Sequence, residues 1–163
     1  MEATINLFKV KIASVGARAF FNPPASEILI RDVEERLKMS FPASLRAFYL
    51  AFNGGFIADD SWTQEELNDA AMFETIQWNS NHILPLEDVK LGFGSRYPAC
   101  IPVIHTRTQE FLVFINPLKD DESAIYDAFH GWAPDQWGAL YSNFEELLKD
   151  YIEKEGNIKT MAV

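Results

Sequence analysis

Few residues in this chain combine a reactive type with a productive spacing. His82, His105 and His130 are scattered, and none falls in a His-Glu-x-x-His or comparable metal-ligand spacing. Cys100 and His105 are a nucleophile and a base by type. Five positions apart on one strand, they are expected on opposite faces and out of reach of each other. Asp127 and His130 are three apart, but at the end of an expected strand rather than on a helix. Gly92 and Gly94 lack the strand-to-helix context of a phosphate loop. Asn53-Gly54-Gly55 follows a helix instead of preceding one, so it does not cradle an anion. The carboxylate pairs Asp59-Asp60, Glu65-Glu66 and Asp120-Asp121 lie in polar stretches where such pairs are solvated. These residues specify no reaction. The expectation is a protein that is not an enzyme, holds no metal or cofactor, and acts by binding.

Charge narrows the class of partner. The 163 residues carry a formal net charge of −10, unevenly spread. Residues 1–50 hold seven Lys/Arg against five Asp/Glu, whereas Ala51 to Val89 contains eight acidic residues and no Lys or Arg. A second all-acidic window runs from Asp120 to Glu146. Nucleic-acid binding depends on cations that neutralise phosphates, so it is disfavoured. A basic protein surface is the complementary partner. Asp59, Asp60, Glu65, Glu66, Asp69 and Glu74 are the candidate contacts, with Trp62 and Trp78 as aromatic anchors, because interface energy concentrates in such side chains. The 48% hydrophobic and 13% aromatic content suits a packed core. No apolar run approaches the ~20 residues that span a bilayer. With no signal-like start and a single cysteine, the chain is expected in the cytoplasm.

The segment Phe41 to Gly55 organises the rest. Pro42 suits a first helical turn, where its missing N–H is not needed. Leu45, Phe48, Tyr49 and Phe52 recur at the spacing of one helix face, predicting a buried helix over 42–52. Asn53, Gly54 and Gly55 are expected to end it, since glycine accepts the left-handed conformation of a helix stop. Before it, Ser26 reads as the N-cap of a helix to about Met39, with Leu29, Val33 and Leu37 inward. Residues 4–15 suit either a strand, from the alternation Phe8, Val10, Ile12, or a helix, from Ile5, Phe8, Ile12, Val15; the helix is the preferred reading. Phe20 to Pro24 reads as a break.

After Gly55, Thr63-Gln64-Glu65-Glu66 has the form of a capping box, predicting a short acidic helix to about Ala71. Phe73 to Trp78 shows no clean period, and 79–81 reads as a loop. Ile83 begins a short strand followed by a brief turn or helix over 86–89. Strands are expected at 101–105, 110–115 and 124–127, with 106–109 as a hairpin connection. Phe111 to Ile115 is apolar on both faces, as in a central strand. His130 to Pro134 reads as a turn. Ser142-Asn143-Phe144-Glu145 reads as a second capping box, opening a helix over 142–155 whose face is Phe144, Leu147, Leu148, Tyr151 and Ile152.

These motifs together resemble the SUKH superfamily. The similarity rests on the helix around Ile30 to Leu37, the step Met39-Ser40-Phe41-Pro42, the aromatic helix closed by Asn53-Gly54-Gly55, the strands that follow, and the final Asn-Phe-Glu-Glu-Leu-Leu helix. It covers about residues 24–155. That superfamily includes fungal cell-wall regulators and bacterial immunity proteins of polymorphic toxin systems. Many relatives carry a small acidic turn between the paired strands; Thr106-Arg107-Thr108-Gln109 stands there instead. The resemblance implies one α+β domain over residues 1–163, with a mostly antiparallel sheet, helices packed on it, and residues 156–163 as a flexible tail. It also implies a function: binding and neutralising a toxin domain, such as a basic nuclease, by occlusion. The alternative is a regulatory interaction module with a non-toxin partner.

Overall fold

A computed structural model describes residues 1–90, 100–115, 123–128, 131–158 and 160. Among the described residues, seven strands form one antiparallel sheet in chain order, each hydrogen-bonded to the next in sequence. They are β1 (Ala19–Phe21), β2 (Gly55–Ile57), β3 (His82–Ile83), β4 (Cys100–His105), β5 (Phe111–Ile115), β6 (Ile125–Asp127) and β7 (Ala139–Tyr141). Among the described residues the α-helices are α1 (Glu2–Val15), α2 (Glu27–Leu37), α3 (Ala43–Tyr49), α4 (Gln64–Asn68), α5 (Phe73–Trp78) and α6 (Phe144–Glu153). The α+β class and the antiparallel sheet match the sequence reading.

Helices α1, α2, α3 and α6 cover one face of the sheet. Phe8, Ile30, Val33, Leu45, Phe48, Phe144, Leu147 and Leu148 pack there on Ile57, Ile83, Ile101, Ile104, Leu112 and Phe114. Full burial of each large side chain contributes about 1.5–3 kcal/mol before ordering entropy is charged. Three rings lock α1, α3 and α6 together: Phe48 lies edge-on to Phe8 at 5.6 Å and to Phe144 at 5.6 Å. The preferred helical reading of residues 4–15 holds: Phe8 is fully buried in this core, and Ile12 and Val15 of the same helix pack against it.

Several local expectations are corrected. The organising helix runs Ala43–Tyr49, three residues short of Phe52; Leu45 and Phe48 are buried as expected, but Pro42 stands just before the helix as its N-cap (ψ 146°) rather than in its first turn. Phe52 continues one turn, its N–H donating to the Phe48 carbonyl at 2.8 Å, and its ring packs against Phe8 and Phe21. Asn53, Gly54 and Gly55 therefore do not cap α3. The Asn53 side chain accepts the Leu86 N–H at 2.9 Å and donates to Glu87. Gly54 (φ 72°) and Gly55 (φ 142°) let backbones approach too closely for any side chain: a Cβ on Gly54 would lie 2.5 Å from Pro85 N, and one on Gly55 would lie 2.3 Å from the Phe20 carbonyl oxygen.

Phe20 and Phe21, read as a break, belong to the edge strand β1, ordered by pairing with β2. The inward residue of α2 is Ile30, while Leu29 is half-buried; Ser26 does cap the helix, accepting the Leu29 N–H at 3.1 Å. At α6 the cap is shifted by one residue. Asn143 accepts the Glu146 N–H at 2.9 Å, and Glu146 turns back to the Ser142 N–H at 2.8 Å. Glu145 instead reaches α1, accepting from the Thr4 hydroxyl at 2.6 Å. Residues 156–158 pack on the body: Ile158 is buried, and the Asn81 side chain donates to the Gly156 carbonyl at 2.8 Å. Their order comes from long-range contacts that no local pattern encodes.

Candidate functional site

Among the described residues, two small clusters cover the sides of the second face of the sheet. At one side Phe56, Ala58 and Ile76 form a small core with Phe20, Trp62, Leu67 and Met72. At the other, Cys100, Val113, Ala128 and Trp137 cluster. Between them runs a row of directly paired residues on adjacent strands: Phe20 with Phe56, Phe56 with His82, His82 with His105, and His105 with Phe111.

The acidic segment builds the first of these covers. Thr63 opens α4 through a true capping box: its hydroxyl accepts the Glu66 N–H at 3.3 Å, and Glu66 accepts the Thr63 N–H at 2.8 Å. The helix ends at Asn68, short of Ala71, because Asp69 caps a new 3-10 turn over Ala70–Met72 by accepting the Ala71 N–H at 2.9 Å. Phe73 to Trp78, aperiodic as sequence, forms α5. One buried residue, Ile76, suffices to anchor so short a helix.

The sequence-derived contact residues therefore divide by job. Glu66 and Asp69 cap backbone, and the Thr63 N–H holds the Glu66 carboxyl below its usual range. Asp59 accepts the Ser61 N–H at 2.9 Å, which, with nearby Arg107, likewise lowers its carboxyl. Asp60, Glu65 and Glu74 are exposed. Trp62 is half-buried against the Phe56 cluster, whereas Trp78 is 47% exposed. Asp59, Ser61, Trp62, Asn79, Arg107 and Thr108 line an open cleft of about 520 Å³. Here Arg107 stands where the resemblance led to expect an acidic turn, and its guanidinium also donates to Asn157 at 3.1 Å.

A second cleft, of about 320 Å³, opens mid-sheet beside α5. Trp78, His82, His105 and Phe111 form its aromatic wall, with Asp88 and Lys90 also lining it. The two imidazoles are 5.0 Å apart, and His105 meets Trp78 at 5.0 Å and Phe111 at 4.9 Å, both edge-on. Burial pushes His82 down to about 4, helped by its neighbour His105, and burial lowers His105 as well. Both rings are therefore neutral near pH 7. Spacing alone could not show this pair, because His82 and His105 are brought together by strand pairing.

The same strand corrects the Cys100–His105 expectation. A bulge between Pro102 and Ile104 inserts one residue, so Cys100, Pro102 and His105 face the same side, opposite Ile115, Val113 and Phe111. They still belong to different clusters. Cys100 packs under Trp137 and is pushed up to about 11 by burial, which removes thiolate character, while His105 packs with Trp78 and His82. Asp127 is buried on β6, and His130 lies outside the described residues, as do Gly92, Gly94, Asp120 and Asp121. Among the described residues no group of three or more His, Cys, Asp or Glu could hold a metal ion, and no helix is long and apolar enough to cross a membrane.

A single α+β domain with a helix-covered sheet, its acidic segment folded over the other face, defines a scaffold of the SUKH kind. A family model described as SMI1 / KNR4 family (SUKH-1) matches residues 24–150, and the chain belongs to that family. SUKH proteins include toxin-immunity and cell-wall-regulator-like members, and they are generally non-catalytic. A comparison with curated proteins found no significant match.

Proposed function

We propose that this protein is an immunity protein that binds a cognate toxin domain, a basic nuclease being the best fit, and neutralises it by occlusion rather than by chemistry. It would act in the cytoplasm, where such a toxin finds its target. The observation that carries the reading is the placement of the acidic segment. Asp60, Glu65 and Glu74 are exposed in the segment that carries α4 and α5, and Trp78, one turn after Glu74 on α5, is 47% exposed. Three basic residues of the N-terminal half are engaged elsewhere: Arg46 pairs with Glu27 and Glu34, and Arg18 and Lys11 pair with Glu155. An acidic rim steers a cationic partner and speeds its encounter, and a desolvated aromatic supplies affinity.

The test is a pull-down from cells carrying the native gene neighbourhood, washed at low and high salt, beside the triple variant Asp60→Asn/Glu65→Gln/Glu74→Gln. Those three carboxylates cap nothing, so the variant is expected to fold. A toxin domain encoded nearby should be retained at low salt, lose its activity in the complex, and bind the variant roughly 10-fold more weakly, since each exposed pair contributes about 0.2–1 kcal/mol. A partner that is not basic and ignores salt would end the nuclease reading. Unchanged binding by the variant would move the interface elsewhere.

A further inference from the structure

His82 and His105 stand opposite each other on β3 and β4, their rings 5.0 Å apart. They are 9% and 7% exposed, and the Nδ1 atom of each is buried without a hydrogen-bond partner. In a protonated imidazole both ring nitrogens are donors. A protonated His82 or His105 would therefore bury a charge and an Nδ1–H that has no acceptor, beside a second imidazole. The folded arrangement accommodates these rings only while they are uncharged.

The element that closes over the pair is weakly anchored. The helix α5 is six residues long, and Ile76 is its buried residue. Gln77 and Trp78, at its end, line the cleft beside both imidazoles, and the Trp78 ring meets His105 edge-on at 5.0 Å. Elements with so little buried contact are among the first to open locally.

We propose that the His82–His105 pair is a proton-operated latch for α5: with both rings neutral the helix stays closed on the sheet, and protonation of either ring releases it. The exposed Glu74 and Trp78 move with α5, so acid changes the surface that this segment presents. The device goes beyond the proposed function and does not depend on what the chain binds.

The charged and titratable groups around the pair leave this response in place. Burial lowers both rings, and His105 lowers His82 further; these effects outweigh Glu110, which favours charged His105, and the Ser80 backbone, which favours charged His82. Asp88 and Lys90 line the cleft from the segment after β3, one of each sign and both exposed, while α5 contributes the uncharged Gln77 and Trp78. His82 is pushed down to about 4 from an ordinary 6.5, so the closed state loses stability as pH falls through 6.5 toward 4. Asp59, Glu66, Glu145 and Glu155 are held below the ordinary carboxylate range, which puts their own loss at lower pH.

The experiment is hydrogen exchange on the intact protein, read by NMR at pH 7 and pH 5 and corrected for the intrinsic pH dependence of exchange. The reporters are the amides of Gln77, Trp78 and Asn79, the last of which donates to the Thr75 carbonyl at 3.2 Å. Their opening constant should rise about 10-fold or more from pH 7 to pH 5, as the displacement of His82 requires. It should exceed that of the α6 amides at both values. The His82 imidazole, followed by NMR in the same samples, should titrate well below 6.5. His82→Phe/His105→Phe, which continues the Phe20–Phe56 row, should remove most of the rise. His82→Gln, uncharged throughout, should reduce it and serves if the double variant does not fold. A His82 midpoint at or above 6.5, α5 opening unchanged between the two pH values or equal to that of α6, or a folded variant that keeps the full rise would each overturn the inference.

Discussion

The Tyr151 hydroxyl donates to the Asn81 carbonyl at 2.8 Å and accepts the Ile57 N–H at 3.2 Å. This one oxygen ties α6 to β2 and to the entry of β3, elements that lie 94 and 70 positions away in sequence. Full burial pushes the phenol above its ordinary range, so it stays protonated and able to donate.

Tyr151→Phe keeps the ring in the core but leaves a buried N–H and a buried carbonyl without their shared partner. The expected loss is about 1–3 kcal/mol. At roughly 2–4 °C per kcal/mol for a chain of this size, calorimetry should read a clear drop in Tm. An unchanged Tm would mean that water replaces the hydroxyl.

The glycines separate close approach from conformation alone. Gly55→Ala places a methyl group 2.3 Å from the Phe20 carbonyl oxygen and 2.6 Å from the Phe21 Cα, both backbone atoms of the neighbouring strand. Separation of β1 from β2 is expected, with a loss above about 3 kcal/mol. Gly16→Ala meets no atom within 4 Å and bears only the backbone strain of φ 59°, ψ −123°, about 1–3 kcal/mol. Urea midpoints should rank the two variants in that order; equal midpoints would contradict the tight β1–β2 contact.

Glu145 gives the fold a defined acid response. The Thr4 hydroxyl, then Lys149 and the terminal amine, hold its carboxyl down to about 2 from an ordinary 4.5. A depressed folded value means the contribution is complete above about pH 4.5 and is lost as pH falls toward 2. Glu145→Gln should lower stability by about 0.5–1 kcal/mol at pH 7, the scale of a partly exposed ion pair. Its Tm should fall less steeply than that of the parent between pH 4.5 and 2. Parallel Tm curves over that window would show that Glu145 does not carry the response.

Much of the helical layer was legible as sequence, because its signals are local. Ser26 and Thr63 cap as their types suggest, and Leu45, Phe48, Leu147 and Tyr151 repeat at helical spacing, so burial follows from period alone. The apolar run of β5 likewise announced a strand covered on both faces. The family signature was legible for the same reason: it sits in those helices.

What the sequence determined by itself was therefore the fold class, the family, and an acidic character concentrated after residue 50. The tertiary structure decided the rest, because it depends on which strands pair. The three-residue strands β1, β2 and β7 are too short to show a period, and their hydrogen-bonding partners define them. Gly54 and Gly55 look like a helix stop until Pro85 and Phe20 are found against them. The bulge in β4 reverses the side of the sheet that His105 faces, and no spacing rule shows a one-residue slip. That slip, with the pairing of β3 to β4, sets two distant histidines beside Trp78 and makes a cleft from residues that gave no sign of each other along the chain.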